Sequence, residues 1–327
     1  MLPLTDPLWE KLGGAFRDQD VPRLLAELAE AWDKEKATSL FWDELHHQST
    51  LYGATYAAVP HLLRMAEPDG NREQRCEIAL FLGHVAVCAL KPDLAPPLQG
   101  LPETLEGWDR KIDAYRSLVA TIEDPKRPAS AYELSQLPHY KSVLAIDSVN
   151  VADLEKIKAI RDEFFAALPS IGALCERALL EDLDDSGESD TYLLSGVAAA
   201  EGLLDLAWLL NSGTEGQLEC AACGWCYQHI LYGDRVAIYE PDSRTGYSSN
   251  AMRDWEEKSP SRADGFVVPA DGADIVDPRA SRLLALAQRR ARPEPGVLLR
   301  SFLGQIQCRR CGARAPVRSV SARRPGA

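Results

Sequence analysis

No run of about 18 consecutive apolar residues occurs in the chain, so no membrane-spanning helix is expected. Its opening stretch, MLPLTDPLWE, has no basic segment, no long apolar core and no small-residue cleavage site. No secretory leader is therefore expected, and the expected compartment is the cytoplasm. Also missing are a Walker loop, a G-x-G-x-x-G turn, a G-x-S-x-G elbow, the protein-kinase set and an H-E-x-x-H pair. Serine, histidine and aspartate are present, but nothing in the sequence groups them. No catalytic residues are assigned, and the chain reads as a non-enzyme. Before residue 215 almost no strand-like alternation is found, which excludes a sheet-based N-terminal domain.

What is present is a series of helical patterns. Hydrophobic residues make up 46% of the 327 and charged residues 26%, ordinary values for a globular protein whose length suits two domains. Residues 21–34 place Leu24, Leu25, Leu28 and Trp32 at helical spacing. A helix over 50–66, capped by Ser49 or Thr50, is apolar on two faces and should kink at Pro60. Further helices are expected over 73–90, 104–123, 152–168, 171–182 and 190–211, with Pro169 as a break. Residues 124–150 read as a long loop with at most one short helix. Serial helices buried on two faces suggest stacked hairpins of the α-solenoid kind, a compact bundle being the plainer alternative. Asn211 to Gly216 is the best linker, giving domains at 1–212 and 213–327.

Eight cysteines divide into two groups. Cys76, Cys88 and Cys175 are isolated in apolar helical runs and read as small core residues. His46, His47, His61 and His84 show no mutual i,i+4 spacing and read as packed or capping residues. Cys220-Ala-Ala-Cys223-Gly224 and Cys308-Arg-Arg-Cys311-Gly312 are different, since each lies between strand-like segments. Two cysteines with two residues between them turn both sulfurs toward one ion, and the glycine lets the backbone curl to aim amides at the thiolates. Two such knuckles supply the four sulfurs of tetrahedral zinc. One structural zinc on Cys220, Cys223, Cys308 and Cys311 is expected, in a zinc-ribbon-like α+β domain. Four thiolates leave no open position for water, so the metal is not catalytic. The gap between the knuckles is long, but loop-closure entropy grows only logarithmically. The insert should hold a helix near 279–291, with 242–269 polar and exposed. Cys226 and His229 extend the first knuckle and could replace a ligand, although Cys226 reads better as a packed strand residue. An iron–sulfur cluster lacks its expected cysteine followed by proline, and a redox role lacks a thioredoxin-like context.

Charge is unevenly distributed. Residues 1–278 carry 48 acids and 24 bases, and residues 279–327 carry twelve arginines and one acid. An acidic body repels nucleic acid and favours a basic partner. The acidic run holding Asp182, Asp184, Asp185 and Glu188 is a solvated loop or a partner-binding edge. Arg309 and Arg310, inside the second knuckle, could contact phosphate, or could balance the acidic body from within the chain.

The stretch from His47 to Leu62, HQSTLYGATYAAVPHL, resembles a signature near the N-terminus of bacterial HEAT-repeat-like proteins. The resemblance is tight over about 20 residues and elsewhere extends only to serial helices; in some such proteins a Cys-x-x-Cys-Gly domain follows. It implies a helical-repeat scaffold with a binding role, of the kind found in toxin–immunity loci, and brings no catalytic residues. The expected class is thus mainly α, an α-solenoid followed by the metal domain. The expected function is to bind a protein, in particular a basic toxin domain that it neutralises. A nucleic-acid-associated regulator acting through the ribbon and the arginine-rich tail is the alternative.

Overall fold

The computed structural model describes all residues except 13, 16–19, 48, 68–70, 91–104, 144–152, 182–186, 241–259, 291 and 321–327. The chain is mainly α and folds as two compact units, Met1–Ile171 and Gly172–Ala327. No helix among the described residues is long and apolar enough to cross a membrane.

In the first unit, α1 (Val21–Glu30) starts where the Asp20 side chain accepts from the Arg23 amide, with Pro22 in the first turn. It buries Val21, Leu24, Leu25 and Leu28 at i, i+3, i+4 and i+7, and it ends at Glu30, so Trp32 of the expected 21–34 helix lies beyond it. Helix α2 (Lys34–Ser39), capped by Asp33, runs into a wider π-type turn over Leu40–Leu45. A two-strand hairpin follows, β1 (His46–His47) against β2 (Thr50–Leu51). Ser49 and Thr50 therefore do not cap a helix. Thr50 pairs with His47, and α3 (Gly53–Met65) begins later, where Thr55 Oγ1 accepts from the Tyr52 amide at 2.9 Å. Pro60 lies inside α3.

Helix α4 (Arg72–Leu90) is buried on several faces, including Ile78, Phe81, Leu82 and Val85. Helices α5 (Leu105–Ile122) and α6 (Ala131–Val143) follow, so the segment read as mostly loop contains a full helix. Helix α7 runs from Leu154 to Leu180 without stopping at Pro169. A proline inside a helix removes one amide donor, a local loss that burial of Phe164, Ile171 and Cys175 along the same helix can offset.

The change of unit lies within α7, ahead of the 211–216 linker at which the sequence changes texture. In the second unit α8 (Gly187–Ala200) and α9 (Leu204–Asn211) replace the single helix expected over 190–211. Helix α8 packs on α10 (Pro278–Gln288) and on α11 (Glu294–Phe302), and α9 packs on α11. Helix α10 matches the one expected in the insert; α11 was not anticipated.

The sheet of this unit is larger than two short knuckles. Strands β3 (Glu215–Cys220), β4 (Cys226–Tyr232), β5 (Arg235–Tyr239), β6 (Gly265–Phe266), β7 (Gln305–Gln307) and β8 (Arg314–Arg318) form one antiparallel sheet, ordered β6-β5-β4-β3-β8-β7. Its ends meet. Val268, just past β6, exchanges backbone hydrogen bonds of 2.8 and 2.9 Å with Gln305 of β7. The insert therefore supplies the strands that extend and curl the sheet rather than a surface loop alone. Of the segment read as polar and exposed, 242–259 lies outside the described residues.

Candidate metal centre

Strand β3 delivers Cys220 and strand β7 leads into Cys308. The pairing of β3 with β8, with Cys220 opposite Val317, brings the two knuckles together. Each knuckle is built the same way. In the first, the Cys220 amide donates to Trp225 O and the Gly224 amide to Cys220 O, at 2.9 and 2.8 Å. In the second, the Cys308 amide donates to Ala313 O and the Gly312 amide to Cys308 O, both at 2.9 Å. Gly224 and Gly312 take φ of 69° and 70°, the left-handed region where a side chain would be strained. The matching Cys-x-x-Cys-Gly text thus encodes a matching backbone.

The four sulfurs of Cys220, Cys223, Cys308 and Cys311 lie within 4.8 Å of one another and could hold a metal ion. Cys220 Sγ is 4.0 Å from Cys311 Sγ, and Cys223 Sγ is 3.7 Å from Cys308 Sγ. A tetrahedron with metal–sulfur bonds of about 2.3 Å has edges of about 3.8 Å. The spacing fits a shared ion, and it is far beyond the roughly 2.05 Å of a disulfide. Cys220 and Cys308 are buried and Cys223 and Cys311 exposed, so the group sits at the rim of the sheet.

Electrostatics differ from sulfur to sulfur. Burial opposes ionisation of Cys308. The Tyr227 hydroxyl, which donates to its Sγ at 3.2 Å, and the amides of Cys311 and Arg310 outweigh that burial and bring the thiol down to about 6. The Tyr227 oxygen in turn accepts from the Arg309 amide at 3.1 Å. At Cys223, exposed on one side, local desolvation and the neighbouring thiols of Cys311, Cys308 and Cys220 push the thiol up to about 12, despite the Trp225 amide. Cys220 is raised as well, again by burial, although the Cys223 and Ala222 amides favour its thiolate. Cys308 is thus shifted toward its thiolate while Cys220 and Cys223 are shifted away from theirs, and a shared cation would supply the charge that those two lack.

Protein-family models, curated proteins and solved structures were all compared with the chain. Nothing matches.

Cys226 opens β4 and is not among the converging sulfurs; its Sγ faces the Tyr227 carbonyl at 3.9 Å. His229 is buried in β4 with its ring edge-on to Phe302, centroids 5.1 Å apart. Arg309 pairs with Asp264 at 2.8 Å, and the Arg310 guanidinium lies over the Trp225 ring, 5.0 Å from its centroid. Arg318 pairs with the buried Glu219 at 3.1 Å across the β3–β8 ladder. Asp182, Asp184 and Asp185 lie outside the described residues; Glu188 falls in the first turn of α8, its side chain undescribed. Asp190, at the end of that acidic run, is buried and pairs with Arg290 at 2.9 Å.

A second convergence lies in the first unit. The ligand atoms of His46, His84 and Cys88 are also within 4.8 Å of one another. The sequence alone reads Cys88 as a small core residue and the two histidines as packed or capping residues. The signal that could have found them is the His84-x-x-x-Cys88 spacing, which places both on one face of a helix. Their approach to His46 is a tertiary event that the sequence does not spell out.

Proposed function

We propose that the protein is a non-enzymatic binding protein. Its first two thirds form a HEAT-like helical scaffold that recognises a basic protein. Its C-terminal domain is a zinc-ribbon-like module held by one structural zinc on Cys220, Cys223, Cys308 and Cys311. The ion has no open coordination position once four thiolates are bound, so its contribution is to folding. The best-fitting partner is a basic toxin domain that the protein sequesters in the cytoplasm, as an immunity protein does.

The observation that carries this reading is the charge balance. Residues 1–278 hold twice as many acids as bases, while Arg290, Arg309 and Arg318 of the basic C-terminal stretch are engaged by carboxylates of the same chain. That leaves an acidic surplus to meet a basic partner. The same engagement of Arg309, and the stacking of Arg310 on Trp225, weigh against phosphate contact as the main role.

Co-expression with basic toxin domains encoded by neighbouring genes tests the proposal. The expected result is a complex whose formation weakens steeply with salt, and protection of the host cell. Failure to bind or protect against any of them overturns it. Salt-sensitive binding of DNA or RNA that falls when Arg309 and Arg310 become alanine would favour the regulator instead.

A further inference from the structure

We propose that His46, His84 and Cys88 form a second metal site, independent of the four cysteines, that takes a borderline-soft divalent ion such as zinc. His84 and Cys88 stand one helical turn apart on α4, with Cys88 Sγ 3.3 Å from His84 Nε2. The β1–β2 hairpin brings His46 over them, its Nε2 2.9 Å from His84 Nε2. Two imidazole nitrogens and one sulfur thus converge on one point from two elements distant in sequence. Two nitrogens and a sulfur are a donor set suited to zinc.

The surroundings hold this arrangement in place. The Trp42 ring meets the imidazoles of His46 and His84 edge-on, at 5.5 and 5.4 Å between centroids, and stacks T-wise on the buried Phe81. Trp42 itself comes from the π-type turn over Leu40–Leu45, a deviation often found at functional sites. Ser49, in the hairpin turn, has φ of 64°, the sole positive value outside glycine among the described residues. Its amide donates to His46 Nε2 at 2.9 Å. A strained residue beside a cluster of donors is a sign of function rather than of packing alone.

The chemistry of Cys88 separates metal binding from nucleophilic catalysis. The side chain is 1% exposed, and burial pushes its thiol up to about 12, against a smaller pull from the Ser49 side chain. Such a sulfur is a poor nucleophile at neutral pH. A bound cation changes this, because the thiol gives its proton to solvent and the thiolate binds the metal. Both imidazoles must then carry their protons on Nδ1, and His46 exchanges the Ser49 amide for the ion. Three protein ligands leave a fourth position, which in tetrahedral sites takes water or an exchangeable ligand. The four-cysteine centre has no such position.

Metal content of the purified full chain, by mass spectrometry after zinc loading and desalting, tests the proposal. His84→Ala takes the content down by one equivalent relative to the unaltered chain. A Cys223→Ser/Cys311→Ser chain, lacking two exposed ligands of the other centre, keeps one equivalent and loses it when His84→Ala is added. Loaded with Co2+ instead, that double variant shows a tetrahedral spectrum with a sulfur charge-transfer band about a quarter as intense as four thiolates give. Cys88→Ala abolishes the band. If His84→Ala and Cys88→Ala leave the metal content unchanged while circular dichroism shows intact helices, the three residues are only a buried hydrogen-bonded cluster.

Discussion

Single residues around the four cysteines set how well that cluster could hold a cation. Tyr227 touches no ion, yet its hydroxyl supports the Cys308 thiolate and is itself fixed by the Arg309 amide. Groups one shell out from a metal typically change affinity by 10–100-fold. Tyr227→Phe should therefore weaken binding of the proposed zinc about tenfold in competition with a chelator, with the fold unchanged by circular dichroism; equal affinity would mean the hydroxyl only packs. His229 makes a second case. Burial pushes it down to about 4, against the smaller pull of the Gly213 backbone. An unfolded histidine takes its proton near 6.5, whereas the folded one stays neutral until about 4. The unfolded state therefore binds more protons between these values, and stability present above about 6.5 is lost as pH falls toward 4. The full loss is about 3 kcal/mol, at 1.36 kcal/mol per pH unit. Denaturant midpoints measured from pH 7 to 4 should fall less steeply in His229→Leu than in the unaltered chain. Comparing slopes cancels the acid release of any thiolate-bound metal, which both proteins share.

At the scale of elements, closure of the sheet depends on one missing side chain. A Cβ on Gly304 would come within 2.1 Å of Val268 O and 3.0 Å of Pro269 Cα, backbone that cannot rotate away. Gly304→Ala must push apart the Val268–Gln305 hydrogen bonds, and overpacking of this kind costs about 1–3 kcal/mol. Thermal unfolding of the second unit should shift down by that amount, and hydrogen exchange at the Val268 and Gln305 amides should accelerate. The same closure marks the limit of what the sequence discloses. The starts of α1 and α10, fixed by the Asp20 and Asp277 caps, can be read to within a residue, while their ends cannot: the apolar pattern runs on to 34 and 291 where the helices stop at Glu30 and Gln288. The knuckles can be read too, because Cys-x-x-Cys-Gly fixes both the ligand type and the backbone curl. Strands β5 and β6 cannot, since their pairing joins residues across an insert whose local text is polar. The π-type turn and the β1–β2 hairpin escape for a similar reason. Ser49 and Thr50 are good capping residues, and only tertiary packing decides that they turn a hairpin instead. The His46–His84 approach follows from that hairpin and so shares its illegibility.

For the whole molecule, the decisive property is that the chain forms two compact units and the four-cysteine centre belongs to one of them. An ion held by Cys220 and Cys311 closes a loop on the order of 90 residues, and a cross-link of that span restricts the unfolded chain by roughly 4–5 kcal/mol. Much of the second unit lies inside that loop, including β4 to β7, α10 and α11. Losing the ion therefore removes a constraint on most of that unit and none on the first. Cys308→Ser deletes a sulfur whose thiolate its surroundings favour and should release the proposed metal. Limited proteolysis should then cut preferentially within 216–318 and spare the first unit, whose helices remain visible by circular dichroism. Denaturation should split into an early transition for the second unit and an unchanged later one for the first. A single transition shifted as a whole would instead mean that the two units unfold as one, and that the four cysteines support the scaffold directly.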